Sequence, residues 1–164
     1  MTEIVQIIPT GNPADELRII ARRMAGLTPA AQSTIEASIR HEIARNFDSE
    51  SAGGENWAPL NPKTVADRIR HGFPGAHPIL RRTGEYRRSW TQSGATEVEQ
   101  GATGWTMYVG SNSFKAIHEK DHFAVIHGKT YPVPGRPARF VDDGGLNRIA
   151  QTVENVLAAL VENA

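Results

Sequence analysis

Histidine is the residue type of this chain that comes closest to metal chemistry, since imidazole is a common metal ligand. Five of its six histidines lie in the middle of the chain: His71, His77, His118, His122 and His127. Only the pair at 118 and 122 has a ligand-like gap, and the charged loop between them adds only Glu119 and Asp121. Because a structural zinc ion takes four ligands, we predict exposed loop histidines, with no metal and no cofactor.

Nucleophilic catalysis is not indicated by the sequence either. Ser89, Ser93 and Ser111 lie in no Gly-x-Ser-x-Gly elbow, and the carboxylates are scattered along predicted helices and loops. The glycine-rich residues 51–54 lack the lysine and hydroxyl of a phosphate-binding loop. The absence of cysteine excludes disulfides, thiolate metal sites and cysteine nucleophiles. We therefore predict that the chain is not an enzyme.

A dense basic segment over residues 55–90 is the strongest candidate for a binding surface. Seven lysines or arginines fall between positions 63 and 88, against only Asp67 and Glu85. Such cations can meet phosphates or an acidic protein surface. The alternative is that they are solvated, or pair within the molecule with the carboxylates near Glu97 and Glu99. The predicted interface residues are Arg68, Arg70, Arg81, Arg82, Arg87, Arg88, Arg136 and Arg139.

Four apolar residues are predicted to anchor the basic segment to the body of the protein. They are Trp57, Leu60, Leu80 and Trp90. The two tryptophans lack the interleaved aromatic pattern of single-strand nucleic-acid binders, so we interpret them as core or interface anchors.

Length and charge indicate one domain that spans residues 1–164. The formal net charge is +0, which argues against a nucleic-acid coat or a membrane-surface protein. No charged leader with a long apolar run is present, and no apolar run could span a bilayer, so we expect no membrane contact. Mobile loops are expected near residues 49–56, 70–79 and 128–139, which are rich in glycine or proline.

The clearest helix begins after Thr28, a predicted N-cap that is followed by a proline at the first helical position. Apolar residues four apart form one stripe as far as about residue 46: Ala31, Ile35, Ile39, Ile43 and Phe47. Glu36 and Arg40 are expected to form an i,i+4 ion pair on an outward face of this helix.

The remaining patterns predict shorter elements around this helix. They are a strand or arm at 4–8, helices at 15–26 and 62–70, a loop at 72–78, a helical turn from 83, a hairpin of 95–100 with 105–109, a strand at 123–127, an extended loop or edge at 131–139 and a helix at 142–162. Together they predict an α+β fold, in which a small antiparallel sheet is packed by N-terminal helices and a C-terminal helix.

Two strings in the basic segment resemble the signature of a known protein family. Residues 54–60 read GENWAPL, followed by Thr64 and Arg68, and residues 79–89 read ILRRTGEYRRS. Further matching strings follow in order at 109–112, 123–128 and 134–140. The chain is thus similar, from roughly residue 35 onward, to the phage virion morphogenesis family, the tail completion proteins of long-tailed phages and Mu-like prophages.

The resemblance implies a structural role in the virion. Proteins of this family are small α+β subunits that form a ring at the head-proximal end of the tail, stop tube polymerisation and prepare the tail for joining to the head. The implied partners are further copies of the chain in a ring, most simply a hexamer, together with the tail tube protein and the head-tail connector protein. The chain would be found in the virion, and in the host cytoplasm during assembly.

Two other functions remain open at this point. The same arginines would suit a nucleic-acid-binding module, or an incidental contact with DNA at the genome end. A metal-dependent hydrolase that uses the histidines would require stoichiometric metal. If the chain is a tail completion protein, we expect Arg81, Arg82, Arg87 and Arg88 to contact an acidic surface on a neighbouring subunit or on the tail tube.

Overall fold

The structure is a computed structural model, and it describes residues 28–92, 96–101, 105–111, 122–126 and 129–162. The elements are α1 (Pro29–Ser49), β1 (Ser51–Ala52), β2 (Glu55–Asn56), α2 (Pro62–Arg70), α3 (Glu85–Thr91), β3 (Thr96–Gln100), β4 (Trp105–Val109), β5 (His122–Ile126), β6 (Lys129–Val133) and α4 (Asp143–Glu162). The predicted α+β class is confirmed. The elements predicted at 4–8 and 15–26 lie outside the described residues.

Helix α1 forms for the reasons visible in its sequence. The Thr28 side chain accepts a hydrogen bond from the backbone N–H of Ala31 at 3.2 Å, and a proline occupies the first turn. The helix ends at Glu50, which adopts a left-handed conformation with a φ of 54°. It therefore runs three residues beyond the predicted end, and its last turn carries polar side chains that hold the neighbouring loops.

The apolar stripe of α1 is the centre of the core. Ile35, Ile39, Ile43 and Phe47 are fully buried, and α1 packs against α3, α4 and β4. The Phe47 ring makes edge-on contacts with Trp57 and Tyr86, at centroid distances of 5.5 Å and 5.6 Å. Burial of each such large apolar side chain contributes on the order of 1.5–3 kcal/mol to folding.

The hairpin β3–β4 packs on one side of α1, and its side chains alternate between the core and the outer surface. Trp105, Met107 and Val109 are buried against the core, as the period of two predicts. Glu97 and Glu99 point away from the core on the paired strand and are exposed. This hairpin confirms the predicted pairing and places two carboxylates on an outer surface.

The strands of the described residues form three separate two-stranded antiparallel ladders rather than one small sheet. Besides β3–β4, these are β1–β2 and β5–β6. The glycine-rich residues 51–54, which we interpreted as a loop, belong to the tight β1–β2 hairpin, where Gly53 donates to the Phe140 carbonyl at 3.0 Å. Strand β6 contains Pro132 and pairs on one side only, the edge position that a proline permits.

A bidentate ion pair joins α1 to α4. The guanidinium of Arg148 donates to both carboxylate oxygens of Glu42, at 2.8 Å and 2.7 Å. These hydrogen bonds lower the pKa of Glu42 although its burial opposes them. Gly145 makes the close approach possible, since a Cβ there would lie 2.3 Å from Val141 Cγ1 and 3.0 Å from Glu42 Oε2.

The predicted i,i+4 ion pair of Glu36 and Arg40 is confirmed, but its expected position on an outward face is wrong for Arg40. Arg40 is buried, and its guanidinium donates to Glu36 at 2.6 Å, to the Trp90 carbonyl at 2.5 Å and to the Thr96 hydroxyl at 2.8 Å. It thereby ties α1 to the end of α3 and the start of β3. No helix within the described ranges is both long enough and apolar enough to cross a membrane.

Replacement of Arg40 should therefore destabilise the fold far more than replacement of another ion-paired arginine of α1. We expect Arg40→Ala to lower the free energy of unfolding by about 3–5 kcal/mol, because it leaves Glu36 without its charged partner and the Trp90 carbonyl without its charged donor. Arg45→Ala is the matched control, since Arg45 is exposed and lies 3.8 Å from Glu42. Urea unfolding followed by circular dichroism measures both, and equal midpoints would contradict the assignment.

Candidate interaction cleft

Three stretches that are distant in the sequence meet around a cleft of about 510 Å³. We name it the arginine cleft, because three guanidinium groups line it together with apolar side chains. Its lining residues are Pro59, Leu60, Asn61, Thr64, Arg68, Leu80, Arg82, Thr83, Tyr86, Pro132, Val133, Pro134 and Arg136. The walls are thus the start of α2, the approach to α3, and the segment that follows β6.

Arg136 fastens two walls of the arginine cleft to each other. Its side chain donates to the carbonyl of Ala58 at 2.9 Å, to that of Pro59 at 3.0 Å and to that of Pro134 at 3.3 Å. Only 4% of Arg136 is exposed, and this burial lowers the pKa of its guanidinium. Beside it, Trp57 donates from its indole nitrogen to the Pro137 carbonyl at 2.9 Å.

Arg68 occupies the floor of the cleft on α2. Its exposure is 3%, and its Nη2 donates to the Pro78 carbonyl at 2.9 Å. Its Nε is buried and has no hydrogen-bond partner among the described residues. Burial, and then the charge of Arg82, lower the pKa of Arg68, although Glu50 acts in the opposite direction. Arg68 is thus a desolvated cation whose hydrogen-bonding capacity is only partly used.

The loop at 72–78 is held by the residue that ends α1. Glu50 accepts a hydrogen bond from the backbone N–H of Ile79 at 2.7 Å, and its other carboxylate oxygen contacts His77. Ile79 is buried in the core, and the backbone of Leu80 is left-handed with a φ of 56°. These contacts fix the direction in which the chain enters the wall formed by residues 80–86.

Four arginines of the basic segment pair with aspartates inside the subunit. Asp48 accepts from Arg81 at 3.0 Å and from Arg87 at 3.3 Å. Asp67 lies 2.6 Å from Arg70 and 3.5 Å from Arg82. The partners are therefore not the carboxylates near 97 and 99, as the intramolecular alternative supposed. Exposed pairs of this kind contribute little to stability.

The eight predicted interface arginines thus separate by environment. Arg68 and Arg136, which we predicted as interface residues, are buried and bind backbone carbonyls, so very little of either side chain is exposed. Arg82 lies at the cleft and stacks over the Phe73 ring at 4.6 Å. The others lie elsewhere on the basic segment or near the Phe140 ring: Arg70, Arg81, Arg87, Arg88 and Arg139.

The four predicted anchors lie where the segment meets the body. Trp57 and Trp90 are buried in the core, while Leu60 and Leu80 are partly buried, pack against it and also line the cleft. Sequence reasoning missed the cleft itself, including Thr64, Thr83 and Val133. The one available signal was proline: Pro59, Pro132 and Pro134 stiffen two of the walls, although they are over 70 residues apart.

Two histidines of the basic segment, His71 and His77, lie beside acidic groups. His71 lies 3.3 Å from the Asp67 carboxylate, and His77 contacts Glu50. Among residues the structure describes, no group of three or more possible metal ligands is found. His118 and His127 lie outside these residues, so the prediction about them is not addressed.

Comparisons of the chain with protein-family models, with curated proteins and with solved structures give no match. Its function therefore has to be argued from its own residues and from the geometry of the arginine cleft.

Removal of the Arg136 side chain tests whether it holds the cleft together. We expect Arg136→Ala to lower the free energy of unfolding by about 2–3 kcal/mol, because buried carbonyls lose a charged donor. Arg70→Ala, whose side chain is 75% exposed, should leave the unfolding midpoint unchanged. Urea titration with tryptophan fluorescence measures both variants, and a stable Arg136→Ala protein would refute the role.

Proposed function

We propose that this chain is a structural virion protein that caps the phage tail tube as a ring and enables head-tail joining. The proposal starts from the resemblance carried by residues 54–60 and 79–89. One structural observation supports it more than any other. The two strings, which lie about 20 residues apart, face each other across one cleft, and residues 134–136 close the third side.

This convergence gives the matching strings a common physical role. The first string supplies the buried Trp57 together with Pro59 and Leu60 at the cleft, and the second supplies the buried Ile79 together with Leu80. The apolar residues of both strings are held in the core or against it, while polar groups between them remain at the surface. Such a division suits a subunit that acts through its surface.

The described surface also offers apolar contact points outside the cleft. Ile69, Phe140 and Leu146 are large apolar residues that are 61%, 49% and 45% exposed. Single exposed apolar residues are ordinary on monomers. In a ring subunit that contacts the tail tube on one face and the head-tail connector on the other, these three side chains are candidates for burial on assembly.

The proposed partners follow from the position of the ring. One face meets the tail tube protein and the other meets the head-tail connector protein, while the sides meet further copies of the chain, six in a tail of sixfold symmetry. The chain resides at the head-proximal end of the tail in the virion and in the host cytoplasm before assembly. Its role is non-enzymatic.

Removal of the chain from particle assembly tests the proposal. Deletion of its gene from the genome that encodes it should give tails without heads and with uncontrolled length, because nothing stops tube growth. Electron microscopy of the lysate measures tail length and head attachment, and expression of the wild-type chain in trans serves as the control.

Tails of normal length joined to heads in the deletion strain would contradict the proposal. The nucleic-acid alternative would be favoured instead if the purified protein bound duplex DNA at low salt and lost it steeply as salt rose.

A further inference from the structure

The arginine cleft holds more positive charge than the described residues neutralise. Neither Arg68 nor Arg136 has a carboxylate within 4.0 Å in the described part of the chain, and both are over nine-tenths buried. Arg82 pairs with Asp67 at 3.5 Å, but Arg70 lies closer to the same carboxylate, at 2.6 Å. Backbone carbonyls satisfy Arg136, but Nε of Arg68 has no hydrogen-bond partner among the described residues, and the exposed Arg82 adds a further positive charge, so the cleft is suited to receive an anion.

The outer face of β3 presents the opposite situation. Glu97 and Glu99 lie two residues apart on one exposed side of the strand, and neither has a cation within 4.0 Å among the described residues. The Tyr108 hydroxyl donates to Glu99 at 2.9 Å. This hydrogen bond, together with burial and the two negative charges, raises the pKa of Tyr108. We name Glu97, Glu99 and Tyr108 the acidic face.

Among the described strands, β3 lies at the edge of a two-stranded ladder. In the described residues it pairs with β4 on one side only. An exposed edge strand is a ready partner for another chain. Residues two apart on a strand project to the same side about 7 Å from each other, so both carboxylates can face one cleft.

We propose that the acidic face of one copy docks at the arginine cleft of the next copy. The inference rests on the proposed function, because it names the contact between neighbouring subunits of the ring. The chain is neutral as a whole, with 18 basic and 18 acidic residues, yet each of these two surfaces is unbalanced. A contact between two different surfaces of identical chains is head-to-tail and closes into a ring when the rotation permits.

The character of the cleft favours a protein carboxylate over a nucleic-acid phosphate. Two of its guanidinium groups are buried, whereas non-specific phosphate contacts are made by exposed cations along a surface. Between the cations lie apolar side chains such as Leu60, Leu80 and Val133. An extended strand with carboxylates on one side can cover these apolar groups and pair with Arg82, the exposed cation of the cleft.

A charge-swap experiment tests this contact on the full-length protein. One variant is Glu97→Lys with Glu99→Lys, and the other is Arg82→Glu, chosen because Arg82 is exposed and does not hold the core. Each variant alone should self-associate at least about tenfold more weakly than the wild type. An equimolar mixture should recover assembly, since each defective surface then finds a complementary one.

The matched control is Glu154→Lys with Glu162→Lys, the same charge change at exposed positions of α4. It should assemble like the wild type. Sedimentation velocity over a range of concentrations measures the assembly, and circular dichroism verifies that each variant is folded.

Three results would overturn the inference: a wild type that stays monomeric at every concentration, charge-swap variants that assemble normally, or a mixture that fails to recover. Loss of duplex DNA binding in Arg82→Glu with unchanged assembly would likewise overturn it and assign the cleft to nucleic acid. Failure of this contact is distinguishable from failure of the proposed function. If only the contact is wrong, the charge-swap variants still restore normal tails to the deletion strain. If the proposed function is wrong, the deletion strain has no tail defect.

Discussion

Burial of a single apolar stripe on α1 determines where α3, α4 and β4 can lie. Because four large side chains of this stripe are fully buried, α3, α4 and β4 must all pack against the same helix. The polar residues that flank the stripe then fix the loops: Asn46 donates to the carbonyls of Ala138 and Phe140, and Glu50 holds residues 77–79. The cleft is therefore built on the last turn of α1.

The arginines of this protein have different roles, which depend on how deeply each side chain is buried. Arg40 and Arg136 bind backbone carbonyls and join segments, so their charge serves the fold. Arg81 and Arg87 share Asp48 at the surface, where water screens the attraction. Arg68 is buried at the cleft, where one of its donors has no hydrogen-bond partner among the described residues.

Much of the fold was predictable, because the sequence patterns that indicate each helix or strand lie within that element. The cap at Thr28, the stripe of α1 and the alternation of β4 each depend on spacing within one element. The cleft was not predictable, because its walls come from three stretches whose packing is decided by tertiary contacts. For the same reason the sequence could not indicate that Arg136 is buried. Nor could it indicate that Arg40 donates to Trp90 and Thr96, because contacts between residues 50 or more positions apart produce no periodic pattern in the sequence.

The central claim is that the unbalanced charges of one subunit are neutralised by its neighbour. A cryo-electron microscopy reconstruction of the assembled wild-type protein tests this most directly, at a resolution that shows side chains. The account predicts that Glu97 or Glu99 of one copy lies within about 4 Å of the Arg82 guanidinium in the arginine cleft of the next. A closed ring in which the cleft faces solvent, or in which the acidic face lies away from every arginine, would contradict it.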